Sequence, residues 1–227
     1  KKCDLNLDLT GKGYSVRNLF CNDIKCNLDI TVVDSIIRHF TSMKDSRADI
    51  VFDNCCLAAI NISSYTKTLE MNRCTISNGG NGIFMHGSKL SVEKSVFYAK
   101  DELFQLGTSK PKIEIENSVV LGENGFAKEV ATGKLAKTLD DVKKLKLTAT
   151  IQRKKNVMEE KPLFDKQPSV TTTFNAKYDP VDRMHWTSSM MHTGMISPQD
   201  FLLKTDSPGK KEGYGANLNA DGIPIPP

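Results

Sequence analysis

Ile50-Val-Phe-Asp-Asn-Cys-Cys-Leu57 and Leu69-Glu-Met-Asn-Arg-Cys-Thr-Ile76 follow one pattern: apolar, any, apolar, two polar or small residues, Cys or Ser, any, apolar. The same pattern reads outward in both directions, as Ile30-Thr-Val-Val-Asp-Ser-Ile-Ile37, Leu90-Ser-Val-Glu-Lys-Ser-Val-Phe97 and Ile113-Glu-Ile-Glu-Asn-Ser-Val-Val120. The copies recur at intervals of 19 to 23 residues. Apolar positions two apart fit strand alternation and do not fit a helical period of 3.6. The break between the two apolar pairs holds Asn54 and Asn117, and Asn tolerates the left-handed backbone of a tight corner. Each copy therefore reads as strand, sharp turn, strand.

A further apolar run follows each copy: Ala59-Ile60-Asn61-Ile62, Gly82-Ile83-Phe84-Met85-His86-Gly87, Leu103-Phe104-Gln105-Leu106-Gly107, and a trace at Gly125-Phe126. Three short strands per repeat describe one coil of a parallel β-helix, with coils stacked at the ordinary inter-strand spacing. A leucine-rich horseshoe has a similar period, but its L-x-x-L-x-L-x-x-N signature is absent and no helix-forming stretch alternates with the strands. Stacking puts Ser35, Cys55, Cys74, Ser95 and Ser118 in one interior column. It also puts Asp53, Glu70, Glu93, Glu114 and Glu116 in an outer acidic strip, with Lys67, Lys89, Lys110 and Lys112 just ahead of the first strands. Such a narrow interior is expected to be aliphatic, with little room for large rings.

Composition agrees: 227 residues, 39% hydrophobic, 26% charged and only 7% aromatic, with Trp186 the single Trp. The length suits one domain with a substantial core and excludes collagen, coiled coil and gross disorder. No apolar run is long enough for a membrane-spanning helix. The net charge of +4 is too mild to point to nucleic acid. The chain opens on Lys1 rather than Met, which reads as a processed chain or a fragment. Cys3, Cys21, Cys26, Cys55, Cys56 and Cys74 all lie in the first third; they are read as small buried thiols, with disulfides in an oxidising compartment the alternative. With no C-x-x-C pair and only four histidines, no metal site is expected.

The chain divides into coils over 1–127, a basic insertion with a further coil over 128–160, and a wrapping segment over 161–227. The first part balances its charges, so the positive excess belongs to the remainder. Over residues 134–155, Lys134, Lys137, Lys143, Lys144, Lys146, Arg153, Lys154 and Lys155 stand against only Asp140 and Asp141. Thr138 and Asp141 are spaced as the cap of a helix over Leu139–Leu145, and Lys146–Gln152 alternates like a returning strand. The run lacks interleaved aromatics and is read as a solvated excursion, with polyanion or protein docking the alternative.

The coils resemble the right-handed parallel β-helix superfamily, the pectate-lyase-like proteins. Pro162-Leu163-Phe164, Asp200-Phe201-Leu202-Leu203 and Ser207-Pro208 with Gly213, Gly215 and Ala216 are similar to the closing segment of many bacterial β-helix repeat proteins. The stretch from about 170 to 199 exceeds that pattern. The resemblance implies an all-β fold, a single-stranded right-handed parallel β-helix of about 5–7 coils with an irregular C-terminal segment. It also implies an extracytoplasmic setting, neighbouring domains in a longer bacterial protein, and polysaccharide as partner; nucleic acid is not expected.

Members of the superfamily include lyases, hydrolases, adhesins and non-catalytic modules. A hydrolase of the polygalacturonase kind needs paired carboxylates and a G-H-G motif. Here Asp101-Glu102 stand in place of the acid pair, Asn81 stands where the first Asp belongs, and Glu123-Asn124-Gly125 offers no G-H-G. A lyase would need a base and Ca²⁺ on clustered carboxylates, so Ca²⁺ enters only in that case. The expected function is a non-enzymatic scaffold or carbohydrate-binding module, with Asn61, Phe84, His86 and Gln105 as the binding face. The alternative is a carbohydrate-active enzyme using Asp101, Glu102 and His86. Met184-His185-Trp186 and Met190-Met191-His192 are read as packing onto the coils, with a metal or oxidation-sensitive patch as the alternative.

Overall fold

The computed structural model describes residues 7–9, 13–26, 28–42, 47–63, 66–107, 110–145, 149–178 and 186–227, with the backbone alone at 7–9, 175–178 and 186–190. The chain is an all-β, right-handed, single-stranded parallel β-helix. One wall is a seven-stranded parallel sheet: Tyr14–Arg17, Ile30–Val33, Asp49–Asp53, Thr68–Asn72, Lys89–Glu93, Lys112–Glu116 and Thr150–Arg153. The five sequence copies align in it without slip: Ile30, Ile50, Leu69, Leu90 and Ile113 are successive partners, and Ile151 continues the row. These residues are all buried, as alternation demands, because a one-residue slip would turn the whole row to solvent.

Every coil turns out of this sheet through one left-handed residue. Asn18, Asp34, Asn54, Arg73, Lys94, Asn117 and Asn156 have φ between 45° and 55°. The next residue faces the core, and Ser35, Cys55, Cys74, Ser95 and Ser118 are fully buried there. Their side chains satisfy the corner. Ser35, Ser95 and Ser118 Oγ each donate to the carbonyl two residues back, at 2.6 to 2.7 Å. The same oxygens accept N–H groups from the neighbouring coil: Leu19 N to Ser35, Cys74 N to Ser95 and Ser95 N to Ser118. The thiols of Cys55 and Cys74 point to the carbonyls of Val32 and Phe52, and both cysteines are free. Burial pushes both thiols far up, so they are protonated and act as packing atoms. Cys3 lies outside the described residues.

Past the corner the chain enters a twelve-stranded sheet. In the early coils its strands are long and continuous, Phe20–Cys26, Ile36–Ser42 and Cys56–Ile62. From the next coil onward each is divided: Thr75–Asn78 and Ile83–Met85, then Val96–Ala99 and Glu102–Leu106, then Ser118–Gly122 and Gly125–Glu129. Cys56–Ile62 is the junction, pairing through Leu57 with Ile76 and through Ile60 with Ile83. The three-strand coil expected from the sequence is therefore the form of the later coils.

The core corrects one expectation. Phe40, Phe52, Phe97, Phe104 and Phe126 are all inside it. Phe40 meets Phe52 edge-on at 5.0 Å, and Phe104 meets Phe126 at 5.4 Å. Rings fit because none is the register neighbour of another, Phe40 and Phe104 being separated in their shared column by Ile60 and Ile83, and the rings that touch meet edge-to-face. The basic insertion is also more than a solvated excursion. Thr138 and Asp141 cap the helix Leu139–Leu145 reciprocally, and its buried Leu139 and Val142 join the core cluster at the end of the stack. Thr150–Arg153 and Val157–Met158 then add a further coil; residues 146–148, where that strand was expected to begin, lie outside the described residues.

The outer wall of the twelve-stranded sheet is covered by the chain itself. Phe201 packs on Ile36, Cys56 and Ala58, and Phe164 bridges Leu203. Gly215 N bonds to Lys94 O, Ala216 N to Thr75 Oγ1 and Asn217 N to Asn54 Oδ1, so the tail runs back along the corners. Asn54 is the hub: its Nδ2 donates to Asp34 Oδ1 at 2.6 Å and to Ile225 O at 2.8 Å. Asn54→Ala combines left-handed strain with lost buried hydrogen bonds and should cost about 3 kcal/mol. Asn54→Gly removes only the strain and should recover roughly half of that loss. Urea unfolding of the two variants checks the order; equal losses would show that the corner conformation is not what Asn54 provides.

Candidate functional site

The stretch from about 170 to 199, unexplained by the repeat, contains an antiparallel hairpin of Thr171–Tyr178 and Trp186–Thr193. It docks where the coils divide. Gly79 N bonds to Val170 O and Asn81 N to Thr172 O, both at 2.8 Å. Asn78 reinforces this by donating to Thr172 Oγ1 and accepting from Thr172 N. A Cβ at Gly80 would lie 2.2 Å from Thr172 O, so the backbone approach requires glycine there. Met184 and His185 lie outside the described residues.

The hairpin changes the exposure of the expected binding face. Asn61, Phe84, Gln105 and Lys128 form one column across successive coils. Phe84 points outward, away from the main core, yet it is fully buried because Phe174 of the hairpin covers it at 5.6 Å. It offers no ring face to solvent. Asn61 and His86 are half-buried, and Gln105 is buried. His86 meets Phe84 edge-on at 4.7 Å, and its ring occupies the space left by Gly107.

Asp101 and Glu102 sit at the far end of this face. Met85 pairs with Leu106, so His86 lies level with Gly107, five residues along from Glu102. That separation is about 16 Å at strand rise, and the three residues do not form one constellation. Each carboxylate already has structural partners. Asp101 accepts from Asn124 Nδ2, while Glu102 accepts from Asn81 Nδ2 at 2.7 Å and Gln105 Nε2 at 3.3 Å, with Lys128 Nζ at 3.4 Å. Calcium takes six to eight oxygen ligands. The groups turned toward Glu102 are N–H donors and an ammonium, so this donor set does not fit Ca²⁺.

The outer strips meet each other at Lys89 and Glu114, and other members pair with charges beside the strips. Lys67 pairs with Asp49, Lys89 and Lys154 with Glu114, and Arg73 with Asp53. In the basic insertion Lys137 donates to Asn124 O, Lys144 pairs with Asp141, and Arg153 lies near Glu159.

A second polar cluster was not anticipated. Asp23 and His39 are register partners on adjacent coils, and the hairpin sets His192 against His39 with ring centroids 4.5 Å apart. Asp23 Oδ1 lies 3.4 Å from His39 Nδ1, and Arg38 donates to Asp23 Oδ2 at 2.7 Å. His39 and Arg38 together hold the Asp23 carboxyl at about 2. Burial lowers His39, and burial with the neighbouring His39 takes His192 down to about 4. The sequence carried one signal for the pair: Asp23 and His39 each stand five residues past a corner, Asn18 and Asp34. Nothing local placed His192 with them.

The class that this geometry defines is the right-handed parallel β-helix. No protein-family model, curated protein or solved structure matches the chain.

Asn81 now has a physical explanation. It donates to Glu102 and accepts from Phe174 N, two roles that a carboxylate cannot combine. Asn81→Asp should lower stability by about 1–3 kcal/mol at pH 7, through like charge and a lost donor. Apposed carboxylates raise each other's pKa, so the penalty belongs to the ionised form and should shrink as pH falls from 7 toward 4. Urea unfolding at the two pH values checks it; a pH-independent loss would exclude the charge explanation.

Proposed function

We propose that this chain is a non-enzymatic β-helix module of a larger bacterial protein outside the cytoplasm, a rigid scaffold that holds polysaccharide. The observation that carries this reading is the covering of the outer wall, where an extended substrate would otherwise lie, by the chain's own tail and hairpin. The acid pair supports it, because both carboxylates serve as hydrogen-bond anchors between coils. The resemblance of the coils and tail to pectate-lyase-like proteins supports the bacterial, extracytoplasmic and modular parts of the reading.

In this reading the ligand lies along the margin left open by the hairpin. Asn61 supplies its amide to sugar hydroxyls and His86 its ring, with Phe84 packed edge-on against His86. Gln105, buried and donating to Glu102, stiffens this face instead of meeting the ligand. The rigid stack fixes these groups in register before any ligand arrives, which reduces the ordering cost of binding.

Affinity electrophoresis through uronic-acid and neutral polysaccharides, run beside product assays with and without Ca²⁺, tests the proposal. Retardation without product is expected. The double variant Asn61→Ala/His86→Ala should weaken retardation roughly tenfold, as expected for one or two lost hydrogen bonds. Absence of retardation by any polysaccharide removes the carbohydrate role. Turnover abolished by Asp101→Ala in a folded protein would establish the enzymatic alternative.

A further inference from the structure

We infer that Asp23, His39 and His192 form a binding site for a divalent first-row transition metal, which pins the hairpin to the coils. Among the described residues, their ligand atoms converge within 4.8 Å of one another. Two imidazoles and one carboxylate are a donor set suited to Zn²⁺ and its neighbours, not to Ca²⁺ or Mg²⁺. The Asp23 Oδ1 to His39 Nδ1 distance of 3.4 Å is close to the edge of a tetrahedron with bonds of about 2.0–2.1 Å, roughly 3.3 Å.

The surrounding hydrogen bonds point to the same use. Metal-binding histidines and carboxylates are usually held through their other polar atom. Arg38 takes Asp23 Oδ2 and leaves Oδ1 toward the histidines. Thr41 Oγ1 lies 3.1 Å from His39 Nε2, which leaves Nδ1 for the metal. Thr172 Oγ1 lies 3.0 Å from His192 Nδ1, which leaves Nε2. Thr172 is itself fixed by Asn78 at 2.9 Å, so the third ligand is oriented from the body of the β-helix.

The ligands come from three separate segments: the strands Phe20–Cys26 and Ile36–Ser42 of adjacent coils, and the hairpin. A metal held by all three bridges the hairpin to the stack. It binds only when the hairpin is docked, and mass action then raises the stability of the docked state. The site shares no residue with the polysaccharide reading, although Thr41 is the register partner of Asn61 on the neighbouring strand, so metal binding and polysaccharide retardation are measured separately.

Isothermal titration of the full chain with Zn²⁺, after treatment with a chelator, tests the inference. One equivalent should bind, thermal unfolding should move upward with added Zn²⁺, and Co²⁺ in its place should give the visible absorption of a low-coordinate site. His192→Phe keeps a ring against His39 but removes the ligand, and it should abolish binding and the thermal shift. Thr172→Val leaves all three ligands and should weaken binding by about 10–100-fold. If His192→Phe fails to fold, Asp23→Asn with the Co²⁺ spectrum makes the same decision. Unchanged stoichiometry in both ligand variants, or no Zn²⁺ binding by the parent chain, would overturn the inference.

Discussion

The structure depends on a corner that is locally unfavourable and collectively held. A left-handed residue other than glycine costs about 1–2 kcal/mol, and the chain places one at every turn out of the seven-stranded sheet. Stacking offsets that cost. The corner N–H of Asp34, Asn54 and Arg73 each finds the carbonyl of the following coil, at Asp53, Asn72 and Glu93. The adjoining Ser hydroxyls join coil to coil on the inner side. Arg73 and Lys94 have no intrinsic preference for this backbone, and Arg73 is held there by both oxygens of Asp53 from the coil before. One coil alone would have little reason to take this shape.

Past the corners, the second wall divides partway along the stack. Its early strands run unbroken, but a turn at Asn78–Asn81 opens the later coils into two segments. Gly79 and Gly80 there admit a foreign backbone, and Asn78 and Asn81 turn polar atoms toward it. The hairpin thus completes hydrogen bonds that the interrupted strand leaves open, and Phe174 covers the ring of Phe84. Fold and covering are one arrangement, because buried backbone groups without partners would be costly.

Much of this could be read from the chain. The coil period, the Ser/Cys column, the left-handed corners at Asn54 and Asn117, and the cap of Leu139–Leu145 all follow from short-range patterns, since stacking copies one local choice from coil to coil. The orientation of Phe84 was legible only in part: strand alternation puts it outward, but its burial depends on Phe174, ninety residues later in the chain. The five core phenylalanines escaped because a one-dimensional repeat does not show which columns face one another. His192 escaped for the same kind of reason. No periodicity relates the hairpin to the coils, whereas Asp23 and His39 share a position that the corners index.

The two walls also divide the work of keeping the stack finite. A parallel stack has open ends whose unpaired strand edges would accept another chain. The wall around the core needs no such protection, because its apolar outer rows are covered by the tail and hairpin, and its charged outer rows pair between coils. At the C-terminal end, the helix Leu139–Leu145 seals the core with Leu139 and Val142, while Lys143 and Lys144 face solvent. The last strand, Thr150–Arg153, and the following Lys154 and Lys155 are largely exposed. Cations on an exposed edge strand disfavour the addition of a further strand. Part of the positive charge of the C-terminal part, at Arg153, Lys154 and Lys155, thus lies on and just past the edge strand where the repeat stops.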